Sequence, residues 1–80
     1  MTVNDAVAIR ILKLLKEKNI TQYRLEQDAG IPHGAMDRIV NSQNKTVTLT
    51  TLYRLARGFK MTIAEFLNDS VFEDSNLEID

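Results

Sequence analysis

The chain has 80 residues, of which 44 % are apolar, and this limits it to one small domain with a modest core. It has no cysteine, which excludes a disulfide framework and a zinc site built from thiolates. Charged residues interrupt its apolar start, and no apolar run approaches the roughly 20 residues that span a bilayer. We therefore expect a soluble, cytoplasmic protein with no membrane partner.

The formal net charge of −1 conceals two regions of opposite sign. Residues 1–60 contain all ten lysines and arginines but only five acids, so their formal charge is +5. Residues 61–80 contain the other six acids and no basic residue, so their formal charge is −6. The low average charge therefore does not exclude nucleic acid as a partner of the basic region.

The first predicted element is an amphipathic helix from about Asn4 or Asp5 to Lys18. Its basic C-terminal end is favoured by the helix dipole. Its apolar residues recur at the spacing of one buried face, which comprises Ala8, Ile11, Leu12 and Leu15.

Two short helices joined by a tight turn are predicted between Thr21 and Asn41. Thr21 is a typical N-cap, and Gly30 can adopt the left-handed conformation that often follows a helix. Pro32 fits only at or before the first turn of the next helix, because it lacks an N–H group. In that helix the spacing turns Met36, Ile39 and Val40 inward and turns His33, Gly34, Asp37, Arg38 and Asn41 outward. A polar outer face on the second helix is the layout of a DNA-reading helix-turn-helix.

A polar loop over residues 41–47 precedes two further predicted helices. Thr48 can cap the fourth helix, and Thr62 with Glu65 has the spacing of a capping box that opens a short fifth helix. The buried stripe of the fourth helix is predicted to comprise Leu49, Leu52, Leu55, Ala56 and Phe59. Tyr23 and Tyr53 are expected to be half-buried.

The C-terminal segment is too apolar for a purely disordered tail. Val71, Phe72, Leu77 and Ile79 are expected to pack against the domain or against a second copy of the chain. Strand content is predicted to be near zero, although residues 76–80 alternate in polarity and are suited to pairing as a short edge.

The order and spacing of these features resemble the Cro and lambda-repressor type of helix-turn-helix, also called the XRE family. The resemblance runs from about Ala8 to Leu67. It rests on the segments TQYRL (21–25), AGIP (29–32), LTTLYRLA (49–56) and MTIAEFL (61–67), with Ile39 and Asn41 between them. It implies an all-α fold of five helices over residues 1–69, with helices two and three as the helix-turn-helix. Residues 70–80 then form a short acidic tail.

The resemblance also implies DNA-contacting positions. Gln22, next to the cap Thr21, matches a position that bonds a DNA phosphate and braces the reading helix. His33 and Gly34, followed by Ala35, match the positions that lie deepest in the major groove. The remaining implied contacts are Asp37, Arg38, Asn41 and Lys45. Gly34 and Asp37 depart from the usual pattern, because one lacks a side chain and the other carries negative charge toward DNA.

The resemblance implies a sequence-specific transcriptional regulator that acts as a homodimer on a palindromic operator of double-stranded DNA. An alternative reading is an antitoxin-like or phage-encoded protein-interaction module whose acidic tail binds a protein partner. An enzyme is not expected, because the chain offers no nucleophile–base pair, no glycine-rich phosphate loop and no metal cluster. Accordingly, no cofactor, metal or small-molecule substrate is expected.

Overall fold

The computed structural model describes residues 1–79. Its five α-helices are α1 (Val3–Lys18), α2 (Gln22–Ala29), α3 (His33–Val40), α4 (Leu49–Gly58) and α5 (Ile63–Leu67). Two single-turn 3₁₀ helices follow at Ser70–Phe72 and Asp74–Asn76. No strand occurs among the described residues, so the predicted all-α class with five helices is confirmed. None of the helices formed by residues 1–79 is long and apolar enough to cross a bilayer.

The first helix begins at Val3, earlier than the spacing of apolar residues predicted. Thr2 accepts a hydrogen bond from the backbone N–H of Asp5, and the Asp5 carboxylate accepts one from the backbone N–H of Thr2, each at 3.1 Å. This capping box satisfies two of the free donors at the helix start. The assignment of Leu12 to the buried face was wrong, since that side chain is 51 % exposed. Ala8 and Ile11 of the predicted face are buried, and Val7 and Leu14 are buried beside them.

The predicted helix-turn-helix boundaries are confirmed. Thr21 caps α2 by accepting the N–H of Arg24 at 3.1 Å. Gly30 follows α2 with a φ of 67°, the left-handed conformation that glycine adopts without steric cost. Pro32 directly precedes the first residue of α3, where its missing N–H removes no helical hydrogen bond.

The core lies where the five helices meet, and it is formed by the largest fully buried side chains. These are Val7, Ile11, Leu25, Met36, Leu55, Phe59 and Phe66. Two predicted burials were wrong. Leu49 is the first residue of α4 and is 67 % exposed, although its helical spacing places it on the same face as the buried Ala56. Helical spacing indicates the face of a helix that is buried but not which turns of the helix contact other elements. Tyr23 is 69 % exposed, because it lies about 200° around α2 from the buried Leu25.

Gly58 allows α4 to approach α2 closely. A Cβ atom at this position would lie 2.8 Å from Leu25 Cδ1 and 2.9 Å from Ala29 Cβ, shorter than side-chain packing tolerates. Both neighbours belong to the inward face of α2. The side chain missing from Gly58 therefore sets the separation between α4 and the first helix of the helix-turn-helix.

The C-terminal segment packs on its own domain through Val71 and Phe72, whereas Ile79, which was also expected to pack, is fully exposed. Val71 is buried, and the ring of Phe72 lies 6.2 Å from the ring of Phe66. The end of the segment pairs with the chain start, since Met1 N–H donates to the Asn76 carbonyl and Glu78 N–H donates to the Met1 carbonyl. The edge strand that the alternation of residues 76–80 suggested does not form among the described residues, since Asn76 ends a 3₁₀ helix and residues 77–79 are irregular. Asp80 lies outside the described residues.

A buried arginine on α1 forms hydrogen bonds with α5 and with Asp69, which follows that helix. The guanidinium of Arg10 donates to the carbonyl oxygens of Phe66 at 2.7 Å and Glu65 at 3.0 Å, and to the Asp69 carboxylate at 3.2 Å. The two carbonyls belong to the last turn of α5, whose acceptors have no partner within the helix. Lys13 donates to the same Asp69 carboxylate at 2.9 Å but is far more exposed. The sequence analysis did not identify this role of Arg10, because its partners lie more than fifty residues away.

We expect Arg10→Met to lower the free energy of unfolding by about 3–5 kcal/mol, the usual cost of removing one partner from a buried ion pair. Lys13→Gln removes an exposed partner of the same carboxylate and should cost at most about 1 kcal/mol. Urea denaturation of both variants measures the difference. Equal and small losses in the two variants would contradict the anchoring role of Arg10.

We expect Gly58→Ala to destabilise the fold, because the overpacking cost of about 1–3 kcal/mol exceeds the gain of about 0.5–1 kcal/mol from a better helix former. Gly34→Ala is the matched control on α3. Its added Cβ would meet nothing nearer than Arg38 Nη1 at 3.8 Å, so it should stabilise by about 0.5–1 kcal/mol. Thermal unfolding of both variants should therefore show melting temperatures that move in opposite directions.

Candidate nucleic-acid interface

The outward face of α3 is formed by polar and small residues over a buried apolar base. Met36 and Ile39 are buried beneath it, and Ala35 and Val40 are partly buried at its sides. This confirms the inward and outward sides that the spacing predicted for α3. The exposed residues are His33, Gly34, Asp37 and Arg38, followed by Asn41 at the C-terminal end of the helix.

A buried carboxylate connects the two helices of the helix-turn-helix. One oxygen of Glu26, Oε2, accepts a hydrogen bond from Gln22 Nε2 at 3.0 Å and lies 2.8 Å from His33 Nδ1. The side chain of Glu26 is 6 % exposed, whereas that of His33 is 74 % exposed. Glu26 thus holds together two residues that the sequence analysis proposed as DNA contacts.

The pair of Glu26 and His33 stabilises the charged form of each partner. The hydrogen bond from His33, followed by that from Gln22, holds the pKa of Glu26 below its ordinary value. The hydrogen bond to Glu26 raises the pKa of His33, and the negative charge of Asp37 acts in the same direction. His33 therefore carries positive charge at the N-terminal end of α3 over a wider pH range than a free histidine does.

Arg38 lies over the gap that Gly34 leaves on the helix surface. Its Nη1 atom is 3.8 Å from the position where a Cβ of Gly34 would stand. Asp37 is exposed beside it. The carboxylate bonded to His33 is that of Glu26, not that of the neighbouring Asp37.

The loop after α3 is tied to the start of α1. Ser42 Oγ donates to the Asp5 carboxylate, and the side-chain amide of Asn4 donates to the backbone carbonyl of Asn44. The hydrogen bond from Ser42 is the main reason that the pKa of Asp5 is lowered. These bonds fix the loop that carries Lys45, which is exposed and shares a shallow groove with Glu78 and Ile79.

Asn41 closes the C-terminal end of α3. Its backbone N–H and its side-chain amide both donate to the carbonyl of Asp37, at 3.1 Å and 2.8 Å. One amide hydrogen and the amide oxygen of Asn41 remain for an external partner.

At the other edge of the candidate interface, Thr21 and Gln22 lie at the N-terminal end of α2, where free N–H groups and the helix dipole favour an anion.

Several basic side chains are engaged within the fold, so the surplus of positive charge in residues 1–60 is not spread evenly over the surface. Arg10 is buried, and Arg24 bonds Asp28 at 3.0 Å on α2. Arg54 donates to the Gly30 carbonyl at 3.2 Å, and Arg57 lies 5.8 Å from the centre of the Tyr53 ring. Arg38 and Lys45 are the cations on or next to the α3 face that the sequence analysis singled out.

The sequence analysis missed Glu26, which it counted only as an acid. The four-residue spacing of Gln22 and Glu26 on α2 was a usable signal, because side chains four apart on a helix are neighbours. The contact with His33 crosses the turn and follows from the left-handed backbone at Gly30. Among residues 1–79, no group of three or more histidine and acidic side chains is arranged to hold a metal ion.

A comparison with known families gives one match. Residues 10–70 match the family model of the Cro/C1-type HTH DNA-binding domain. The matched range includes α2 to α5 entirely and the larger part of α1. Neither the curated proteins nor the solved structures contain a match to the chain.

We expect nuclear magnetic resonance to give His33 a pKa above the ordinary 6.5, and Glu26→Gln to lower that pKa toward the ordinary value by removing the bonded charge. Asp28→Asn neutralises an acid on the same helix that does not bond His33 and should leave the pKa in place. A wild-type pKa at or below 6.5 would contradict the pair.

The same pair makes stability depend on pH in a definite direction. Because the pKa of His33 is raised, its contribution is complete below about pH 6.5 and is lost as the pH rises through the raised value. Because the pKa of Glu26 is lowered, its contribution is complete above about pH 4.5 and is lost as the pH falls through the lowered value. The difference in unfolding free energy between wild type and His33→Asn should therefore be largest between these two limits.

Proposed function

This chain belongs to the Cro/C1-type helix-turn-helix DNA-binding family, and we propose that it is a sequence-specific transcriptional regulator that acts on double-stranded DNA. The observation that carries the proposal is the exposed polar face of α3, held on α2 by the turn at Gly30. In helix-turn-helix proteins the second helix lies in the major groove with its N-terminal residues toward the base edges.

The residues of the face divide into two kinds of contact. His33 and Arg38 have long side chains on α3 and reach base edges, where an arginine can bind guanine through two hydrogen bonds. Gly34 and Ala35 let the helix approach closely, and the methyl of Ala35 suits apolar contact with thymine. Phosphate contacts are proposed for Thr21, Gln22, Asn41 and Lys45. Asp37 either accepts from a cytosine amino group or opposes the phosphates.

A homodimer is proposed because one domain supplies few contacts. Two copies that bind half-sites one helical turn apart, about 34 Å, would read a palindromic operator. Val71 and Phe72 are already used in the core of the domain itself, which leaves α5 as the candidate dimer face. On that helix Leu67 is 37 % exposed.

A protein-interaction role of the acidic tail is the second candidate. Asp69 is occupied by Arg10 and Lys13, whereas Glu73, Asp74 and Glu78 are exposed, and of these three Glu78 also lies 3.8 Å from the Met1 ammonium group. These three carboxylates are therefore the part of the tail that a basic partner would contact.

Selection from a random pool of duplexes tests the proposed function. We expect enrichment of a palindromic sequence, and an affinity for it that falls steeply as salt concentration rises, because phosphate contacts release counterions. Arg38→Ala should cost about 1–3 kcal/mol and relax the preference at one base pair. Arg24→Ala is the matched control, since Arg24 is paired with Asp28 and lies in a groove with Lys18 and Phe59. Failure to enrich any sequence, or an affinity independent of salt, would contradict the proposal.

Neutralising the tail separates the two candidate functions. Deleting residues 70–80 would remove the buried Val71, so the combined substitutions Glu73→Gln, Asp74→Asn and Glu78→Gln are the cleaner change. A DNA-binding regulator should keep or increase its affinity for DNA, because negative charge is removed. Loss of a bound protein partner with DNA affinity unchanged would favour the interaction module.

A further inference from the structure

We propose that Glu26 is a positioning residue that makes the base read by His33 depend on the protonation state of its imidazole. Charged His33 would read guanine, and neutral His33 would read the amino group of adenine or cytosine. This inference rests on the proposed function, since it requires α3 to lie in the major groove. It assigns to Glu26 a role in sequence specificity without direct contact with DNA.

The two nitrogens of the His33 imidazole ring have different surroundings. Nδ1 lies 2.8 Å from Glu26 Oε2, so it faces the protein. The rest of the side chain is largely exposed at the first residue of α3. The N-terminal residues of a reading helix are the ones that contact base edges. Nε2 is therefore the nitrogen available to a base.

The chemistry of a carboxylate fixes what Nε2 can do. An ionised carboxylate only accepts hydrogen bonds, so Nδ1 carries a hydrogen whether the ring is charged or neutral. In the charged ring Nε2 is a donor, and in the neutral ring it is an acceptor. Guanine presents two acceptors in the major groove, N7 and O6, and thymine presents one, O4, whereas cytosine presents an amino donor and adenine presents both an acceptor and an amino donor. Loss of one proton from the imidazole thus changes what Nε2 of His33 recognises on a base, from a hydrogen-bond acceptor to a hydrogen-bond donor.

Glu26 itself is held in place for this role. Gln22 donates to the same oxygen at 3.0 Å, and the side chain is buried, so it cannot turn away from His33 without losing both bonds. With the neutral amide of a Glu26→Gln variant, either ring nitrogen can carry the proton, because an amide both donates and accepts. The carboxylate of Glu26 therefore keeps a hydrogen on Nδ1 of His33, whereas the amide of glutamine would not.

The charged groups around His33 favour the protonated ring. Glu26 acts from α2, and Asp37 acts from α3 itself, so together they raise the pKa of His33. Partial burial acts in the opposite direction, and the remaining charged residue of α3, Arg38, lies over the neighbouring Gly34. The helix α1 also packs on α3, and its acid Asp5 is bonded to Ser42 at the far end of that helix. DNA phosphates favour the charged ring further.

The test is a pH series of base preference. A selected operator is first scanned with His33→Asn, which cannot titrate, to find the base pair whose preference depends on His33. Wild-type affinity for the four variants of that base pair is then measured from about pH 5.5 to pH 8.5. We expect guanine to be favoured about tenfold at the acidic end, and adenine or cytosine to be favoured at the basic end.

Three variants complete the test. His33 is the one histidine of the chain, so His33→Asn should show no change of preference with pH. Glu26→Gln should reduce the change of base preference with pH and shift the midpoint of the remaining change to lower pH. Asp28→Asn, the matched acid-to-amide change on α2, should leave the wild-type pattern in place. Circular dichroism confirms that each variant is folded.

The outcomes distinguish this inference from the proposed function. If the wild-type protein enriches an operator but favours the same base at every pH, the inference is overturned and the proposed function stands. If Glu26→Gln behaves as wild type, the role of Glu26 is overturned. If no duplex is enriched at any pH, the proposed function fails and the inference fails with it.

Discussion

The left-handed backbone at Gly30 is the constraint on which the rest of the interface depends. A φ of 67° lets the chain leave α2 and enter α3 after three residues, and glycine adopts this conformation without the steric cost that a Cβ adds. Arg54 bonds the carbonyl of this glycine, and Gly58 brings α4 close against α2, so neighbouring elements support the turn from both sides. The orientation of the outward face of α3 follows from this turn.

One consequence of the turn is that an acid can lie beside the face of α3 that is proposed to contact DNA. A carboxylate facing phosphates would repel them, but Glu26 is buried and bonded to Gln22 and His33. Its charge is offset within the protein by a histidine whose own pKa it raises. Glu26 thus orders the side chains of Gln22 and His33, both proposed to contact DNA, and the local charge there depends on the protonation state of the imidazole. Asp37 has the same sign of charge but stands exposed.

Local features of the fold could be predicted from the sequence, because their partners lie within one turn of the chain. The caps Thr21, Thr48 and Thr62 and the turn at Gly30 are of this kind, and the structure has each of them where its residue type indicated. Features that depend on distant contacts could not be predicted. Arg10 binds carbonyls and a carboxylate fifty-five to fifty-nine residues away. Leu49 is exposed although it shares the helical spacing of the buried Ala56. In the candidate site, the outward residues of α3 could be predicted from the helical periodicity of its apolar residues. The role of Glu26 could not, because its contact with His33 depends on the geometry of the turn.

Mapping of amide chemical shifts on the selected duplex tests the central claim most directly, because it locates the DNA on the folded protein without altering a residue. The account predicts that the largest shifts fall on α3, on the N-terminal turn of α2 and on the loop that carries Lys45. The C-terminal segment after α5 should shift little. Largest shifts on that acidic segment, with α3 unchanged, would contradict the account.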